Sequence, residues 1–192
     1  MPASRQGIDA LCGVYATING LKLLCPDINV DELFELIIRR LDQRKKLVDA
    51  LVKGTMIETV ILCMQESLRY TESEHGLEIG YARPFRSEHD FGNILSFKSY
   101  LNEVLVPKKC VALVGMTGRM GHWSILRKTK RGLGFYDSGG LSRTDLSDLS
   151  LGRHTGKLNI SIKETVFLTT DFQMNFSTKM GKTRRARHAT QI

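Results

Sequence analysis

No apolar run in the 192-residue chain approaches the ~20 residues that a membrane-spanning helix needs. The first residues, Met1-Pro2-Ala3-Ser4-Arg5-Gln6, lack the apolar stretch of a secretory signal. These two absences point to a cytoplasmic protein, or to an effector secreted without a signal peptide. Cysteine is scarce: four residues, at positions 12, 25, 63 and 110, with no C-x-x-C pair among them. That spacing argues against a zinc site or a redox motif, and no metal or other cofactor is expected. Disulfides are not expected in a chain of this size without a secretory signal. Internal repeats and low-complexity linkers are also missing, so residues 1–176 read as one domain, long enough to bury a sizeable core.

Acidic residues are absent from residues 177–192. That stretch holds Lys179, Lys182, Arg184, Arg185 and Arg187, so it carries +5 of the net charge of +8. It is expected to be a disordered, solubilising tail, with an acidic partner as the alternative. It has neither an aromatic residue to stack on bases nor an amphipathic period, so nucleic acid is not expected.

The rest has an ordinary globular composition, 42% hydrophobic and 25% charged. The first two-fifths read as helical. Apolar residues at 14, 18, 21 and 24 predict a helix over 13–24, stopped by Pro26. Asn29 with Glu32 resembles a capping box that opens a helix from 30 through about 41 and beyond. Thr55 with Glu58 repeats the signature before a helix over 56–68, whose segment ends near His75-Gly76. The second half changes period. Strands are predicted over 77–82, 110–115, 122–127, 134–137, 158–162 and 165–170, and one more helix over 93–104. Residues 128–132, Lys-Thr-Lys-Arg-Gly, form a solvated polar turn that joins two of the strands as a hairpin. Helices followed by an antiparallel sheet make the class α+β, an N-terminal helical part packed on a C-terminal sheet.

Three segments converge on one chemistry. In Gln6-Gly7-Ile8-Asp9-Ala10-Leu11-Cys12-Gly13, a cysteine stands where a loop enters a helix. A helix N-terminus offers free N–H groups and partial positive charge, which favour the reactive thiolate. Gly13 is expected to leave room for an incoming substrate. Gln6 can loop back so that its amide joins the Cys12 backbone N–H in an oxyanion hole. In Gly121-His122-Trp123, a histidine opens a strand, beside a tryptophan able to shield it from water. In Phe135-Tyr136-Asp137-Ser138, an acid ends the next strand of the hairpin. His122 and Asp137 therefore share one end of that hairpin, where the carboxylate can fix the imidazole tautomer. Cys12 is then the nucleophile, His122 its base and Asp137 the group that orients the base. Cys63 and Cys110 lie in apolar runs and read as buried packing residues, and Cys25, before Pro26, as a helix-end residue.

The pattern Gln-x5-Cys-Gly opening a helix, then a strand-borne histidine, then an aspartate some fifteen residues on, resembles the papain-like cysteine peptidase superfamily. Within it the pattern is most similar to the bacterial peptidase domain that processes bacteriocin leaders beside export transporters. The resemblance implies a papain-like fold and cleavage after a double-glycine leader. Gln6, Cys12, His122 and Asp137 match the oxyanion, nucleophile, base and orienting positions. The resemblance differs at Ser138, where that family commonly has proline, and it does not extend to residues 30–68 or to the basic tail.

Three functions fit these residues. The first is a cysteine peptidase that hydrolyses peptide or isopeptide bonds of a protein or peptide substrate. The second is a glutamine deamidase or transglutaminase-like effector with the same triad. The third is a non-catalytic interaction module with a basic tail. The other polar candidates are bland: His75 and His89 are expected in exposed loops, His154 and His188 in basic loop or tail sequence, and Asp145 and Asp148 in a turn. Asp9 is placed to bias a basic substrate group. No third ligand accompanies the histidines.

Overall fold

The computed structural model describes residues 10–87, 90–117, 121–139, 149–151, 158–174 and 176. Among the described residues five helices and six strands follow one another: α1 (Cys12–Leu24), α2 (Val30–Gln43), α3 (Leu47–Lys53), α4 (Ile57–His75), β1 (Gly80–Ala82), α5 (Ile94–Val104), β2 (Cys110–Thr117), β3 (His122–Thr129), β4 (Gly132–Tyr136), β5 (Leu149–Leu151) and β6 (Leu158–Thr169). The class is α+β. Among the described residues no helix is long and apolar enough to cross a membrane.

Local chemistry explains most boundaries. The Asn29 side chain accepts a hydrogen bond from the Glu32 N–H and starts α2, and Asn93 does the same for α5 through Ser96. Helix α4 ends at Gly76, which adopts the left-handed conformation at φ 60°. Arg40 of α2 bonds Glu66 of α4 at 2.8 Å, and the Tyr70 hydroxyl donates to Glu32 at 2.8 Å, so these two helices are latched at two points.

The sheet runs β1-β6-β2-β3-β4 with antiparallel pairing, and β5 adds a parallel pairing with β6. The sheet is thus not wholly antiparallel. Strand β2 is central, and its first seven residues are buried. A strand covered on both faces loses the polar alternation of a half-exposed one. Val111 and Leu113 point into a core shared with α1, α2 and α4. Cys110, Ala112, Val114 and Met116 point the other way, into a core shared with α5. The helices therefore cover both faces, rather than forming one N-terminal layer on one side. On the first face α1 comes very close. A Cβ on Gly20 would lie 3.0–3.2 Å from the side-chain tips of Leu168, Ile125 and Leu113.

Three departures from the sequence expectation have local causes. Helix α3 is preceded by Lys46 without a side-chain cap and by Lys45 at φ 54°, so no capping signature announces it. The two strands expected near the C-terminus are one, β6. Between Val114 and Gly115 of β2 the partner on β6 jumps from Thr165 to Ser161 across a bulge, and the polar residues Lys163 and Glu164 fall in that jump. Of the strand expected over 77–82, only Gly80–Ala82 pairs with the sheet.

Candidate active site

Cys12 is the first residue of α1 and is buried. The residue before the helix, Leu11, has no side chain that could cap it. The cap comes instead from the loop ahead of α4. The Thr55 hydroxyl accepts a hydrogen bond from the Gly13 N–H at 3.1 Å and donates to the Ala10 carbonyl at 3.2 Å. The same oxygen lies 4.0 Å from the Cys12 sulfur. Thr55 therefore does not cap α4 as its spacing to Glu58 suggested. The N-cap of α4 is Met56, which makes no side-chain bond. Gly13 also has a packing reason that the sequence did not show. A Cβ there would lie 2.7 Å from both Thr55 Cβ and Val60 Cγ2, so glycine is what lets the α4 entrance press against the cysteine turn.

His122 opens β3, and Asp137 follows the last residue of β4. The hairpin register pairs Ile125 with Tyr136, and one further step sets Ser124 opposite Asp137. His122 is then Asp137's diagonal neighbour, a separation that side chains bridge. The structure brings them together: His122 Nε2 lies 2.7 Å from Asp137 Oδ1. The other carboxylate oxygen accepts the Gly139 N–H at 2.7 Å. With Nε2 facing the carboxylate, Nδ1 is the ring nitrogen left to face the thiol, and the two groups shift each other's pKa. Trp123 is buried beside them, and its indole N–H donates to the Thr55 carbonyl at 2.6 Å.

The electrostatics separate this thiol from the others. Burial alone would raise the Cys12 pKa. Hydrogen bonds from His122 and the Trp123 backbone, the charge of His122 and the Thr55 hydroxyl outweigh it, and the net shift is downward. For His122, burial disfavours the charged ring, but the bond to Asp137 and then the bond to Cys12 prevail, raising it to about 9. Cys63, in the middle of α4, is pushed up to about 12 by burial, which a backbone hydrogen bond only partly offsets. Cys25 is also raised, mainly by burial. None of the four cysteines is in a disulfide. The arrangement can hold a thiolate against an imidazolium, which is the resting state of a nucleophile with its acid–base partner.

Of the four site residues read from sequence, the structure gathers Cys12, His122 and Asp137. Gln6 lies outside the described residues, as do Asp9, His89, Asp145, Asp148, His154, His188 and residues 177–192. His75 is not exposed as expected: it ends α4 half-buried, its ring edge-on to Tyr70 at 6.0 Å, because the helix continues to its position. Among the described residues no group of three His, Cys, Asp or Glu could hold a metal ion. Thr55 was missed as a site residue, because its contacts to residues 10–13 span more than forty positions and leave no local signal. Compared with known protein families, with curated proteins and with solved structures, the chain matches none.

Proposed function

We propose that the protein is a cysteine peptidase of papain-like architecture, cleaving peptide or isopeptide bonds through an acyl-enzyme on Cys12. The observation that carries this reading is the pair itself: Asp137 bonded to His122 Nε2 at 2.7 Å, with that imidazole acting to lower the pKa of a cysteine at the first position of a helix. A structural histidine–aspartate pair needs no thiol, and a structural cysteine gains nothing from a lowered pKa.

The chemistry follows from the geometry. The Cys12 thiolate adds to the carbonyl carbon and forms a C–S bond, and the carbonyl electrons move to oxygen. Because Thr55 occupies the Gly13 N–H, the Cys12 N–H is the helix-end donor left for that oxyanion, with the Gln6 amide as its proposed partner. When the tetrahedral species collapses, the C–N bond breaks and the imidazolium of His122 protonates the departing amine. Neutral His122 then takes a proton from water. The resulting hydroxide adds to the thioester carbonyl, the C–S bond breaks, and the carboxylic acid leaves with the thiolate restored. Asp137 keeps Nε2 protonated throughout, so that Nδ1 faces the reaction.

The test is incubation of the full chain with a protein-derived peptide library, followed by mass spectrometry, beside Cys12→Ala. New fragments that vanish in the variant support the peptidase. A gain of one mass unit at glutamine, dependent on Cys12, moves the assignment to a deamidase. Equal products from both chains rule out Cys12 as the nucleophile.

A further inference from the structure

Thr55 makes one bond in each direction that the proposed chemistry requires to be held. Its hydroxyl joins the two sides of the cysteine turn, accepting from Gly13 N–H at 3.1 Å and donating to the Ala10 carbonyl at 3.2 Å. Its carbonyl accepts the Trp123 indole N–H at 2.6 Å, and Trp123 is the residue after His122. One buried residue thus links the helix that carries the sulfur to the strand that carries the imidazole. Its Cβ is held against the missing side chain of Gly13, so the link has little freedom to shift.

We propose that Thr55 is a positioning residue for the Cys12–His122 pair, and that its hydroxyl proton turns from the Ala10 carbonyl to the sulfur when Cys12 is a thiolate. A hydroxyl has a single proton and two lone pairs. While it donates to Ala10, it can offer the sulfur 4.0 Å away only a lone pair, which suits a thiol S–H. A rotation about the Cβ–Oγ1 bond redirects the proton toward the anion and leaves the lone-pair contact with Gly13 N–H in place. The loop carbonyl loses one bond and the thiolate gains one, so no proton changes owner. Among the described residues, His122 is the titratable side chain whose charge acts on the sulfur, with Asp137 bonded to it at 2.7 Å; Thr55 adds to that pair a neutral donor that does not titrate.

The inference rests on Cys12 being the nucleophile, and the experiment separates the two. The rate of Cys12 alkylation by iodoacetamide is followed against pH by peptide mapping in the full-length chain, in Thr55→Val, Thr55→Ser and His122→Ala. Thr55→Val keeps the β-branch and the carbonyl but removes the hydroxyl. It is expected to raise the alkylation midpoint by about one pH unit, with labelling below that midpoint about tenfold slower, since a bond to a charged group is at stake. Thr55→Ser, which restores the hydroxyl, is expected to stay close to the parent midpoint. A Thr55→Val chain that is folded by circular dichroism and has the parent midpoint would overturn the inference while leaving the triad intact. A parent chain with an ordinary thiol midpoint, unmoved by His122→Ala, would remove the triad and Thr55's role together. Should Thr55→Val fail to fold, Thr55→Ser decides: a parent-like midpoint supports the hydroxyl's role, and a raised one contradicts it.

Discussion

The two faces of the sheet are built in different ways. The face toward α5 is held by rings. Phe85 packs edge-on against Phe91, Phe97, Tyr100 and Phe167 at centroid distances of 5.2–6.0 Å. Such packing is mainly non-directional burial, to which the Tyr100 hydroxyl adds a single hydrogen bond, to the Phe176 carbonyl at 3.0 Å. The candidate site lies where the start of α1 meets the ends of β3 and β4, and it is held by directional contacts at short range: Gly13 against Thr55, Thr55 against Ala10 and Trp123, His122 against Asp137. The contrast teaches a division of labour. Non-directional burial packs α5 against its side of the sheet. The side that must hold a sulfur beside an imidazole uses hydrogen bonds and a glycine, where small displacements carry a large penalty.

That contrast can be broken first on the aromatic side. Phe97 is fully buried in the α5 core. Phe97→Ala is expected to cost about 3–5 kcal/mol of stability by chemical denaturation, the usual range for an aromatic truncation. The fraction that remains folded should keep parent-like iodoacetamide labelling of Cys12, and slowed labelling in that fraction would show that the two faces are not independent. A smaller change on the other face should act oppositely. Gly13→Ala places a methyl 2.7 Å from Thr55 Cβ and Val60 Cγ2. The expected stability loss is about 1–3 kcal/mol, as for overpacking generally. Cys12 reactivity should fall by more than that loss explains, because the strain is relieved by moving Thr55 away. A variant with parent reactivity per folded molecule would mean that Thr55's position is not critical.

Much of this was legible from the residues because the signals are local. The Asn29 cap, the helix end near Gly76 and the polar turn between β3 and β4 each act within four positions. The hairpin argument that brought His122 to Asp137 worked for the same reason: the register of two strands joined by a two-residue loop is fixed by the turn. What the residues hid was long-range or cancelled locally. Thr55 and Glu58 have the spacing of a capping box, but the hydroxyl has a better use at the start of α1, which has no cap of its own. The bulge in β6 reads as a gap between strands because the pattern breaks where pairing skips. Helix α5 covers the second face because β2 is apolar on both sides, and its run of buried residues, Cys110 to Met116, held that information without saying which helix would use it.

The central claim is that His122 rests as an imidazolium paired with the Cys12 thiolate. Its sign can be worked out. Cys12 loses its proton below the ordinary thiol value and His122 keeps its own to about 9, so the pair exists between these limits. Reactivity should rise with pH as the thiolate forms and fall through about 9 as the ring becomes neutral and can no longer protonate a leaving amine. The most direct measurement is the nitrogen-15 NMR titration of the His122 ring in the full-length chain. The account expects a midpoint near 9, moving down toward the ordinary histidine value in Asp137→Ala and also in Cys12→Ala. A midpoint near 6.5 that ignores Cys12→Ala would contradict it.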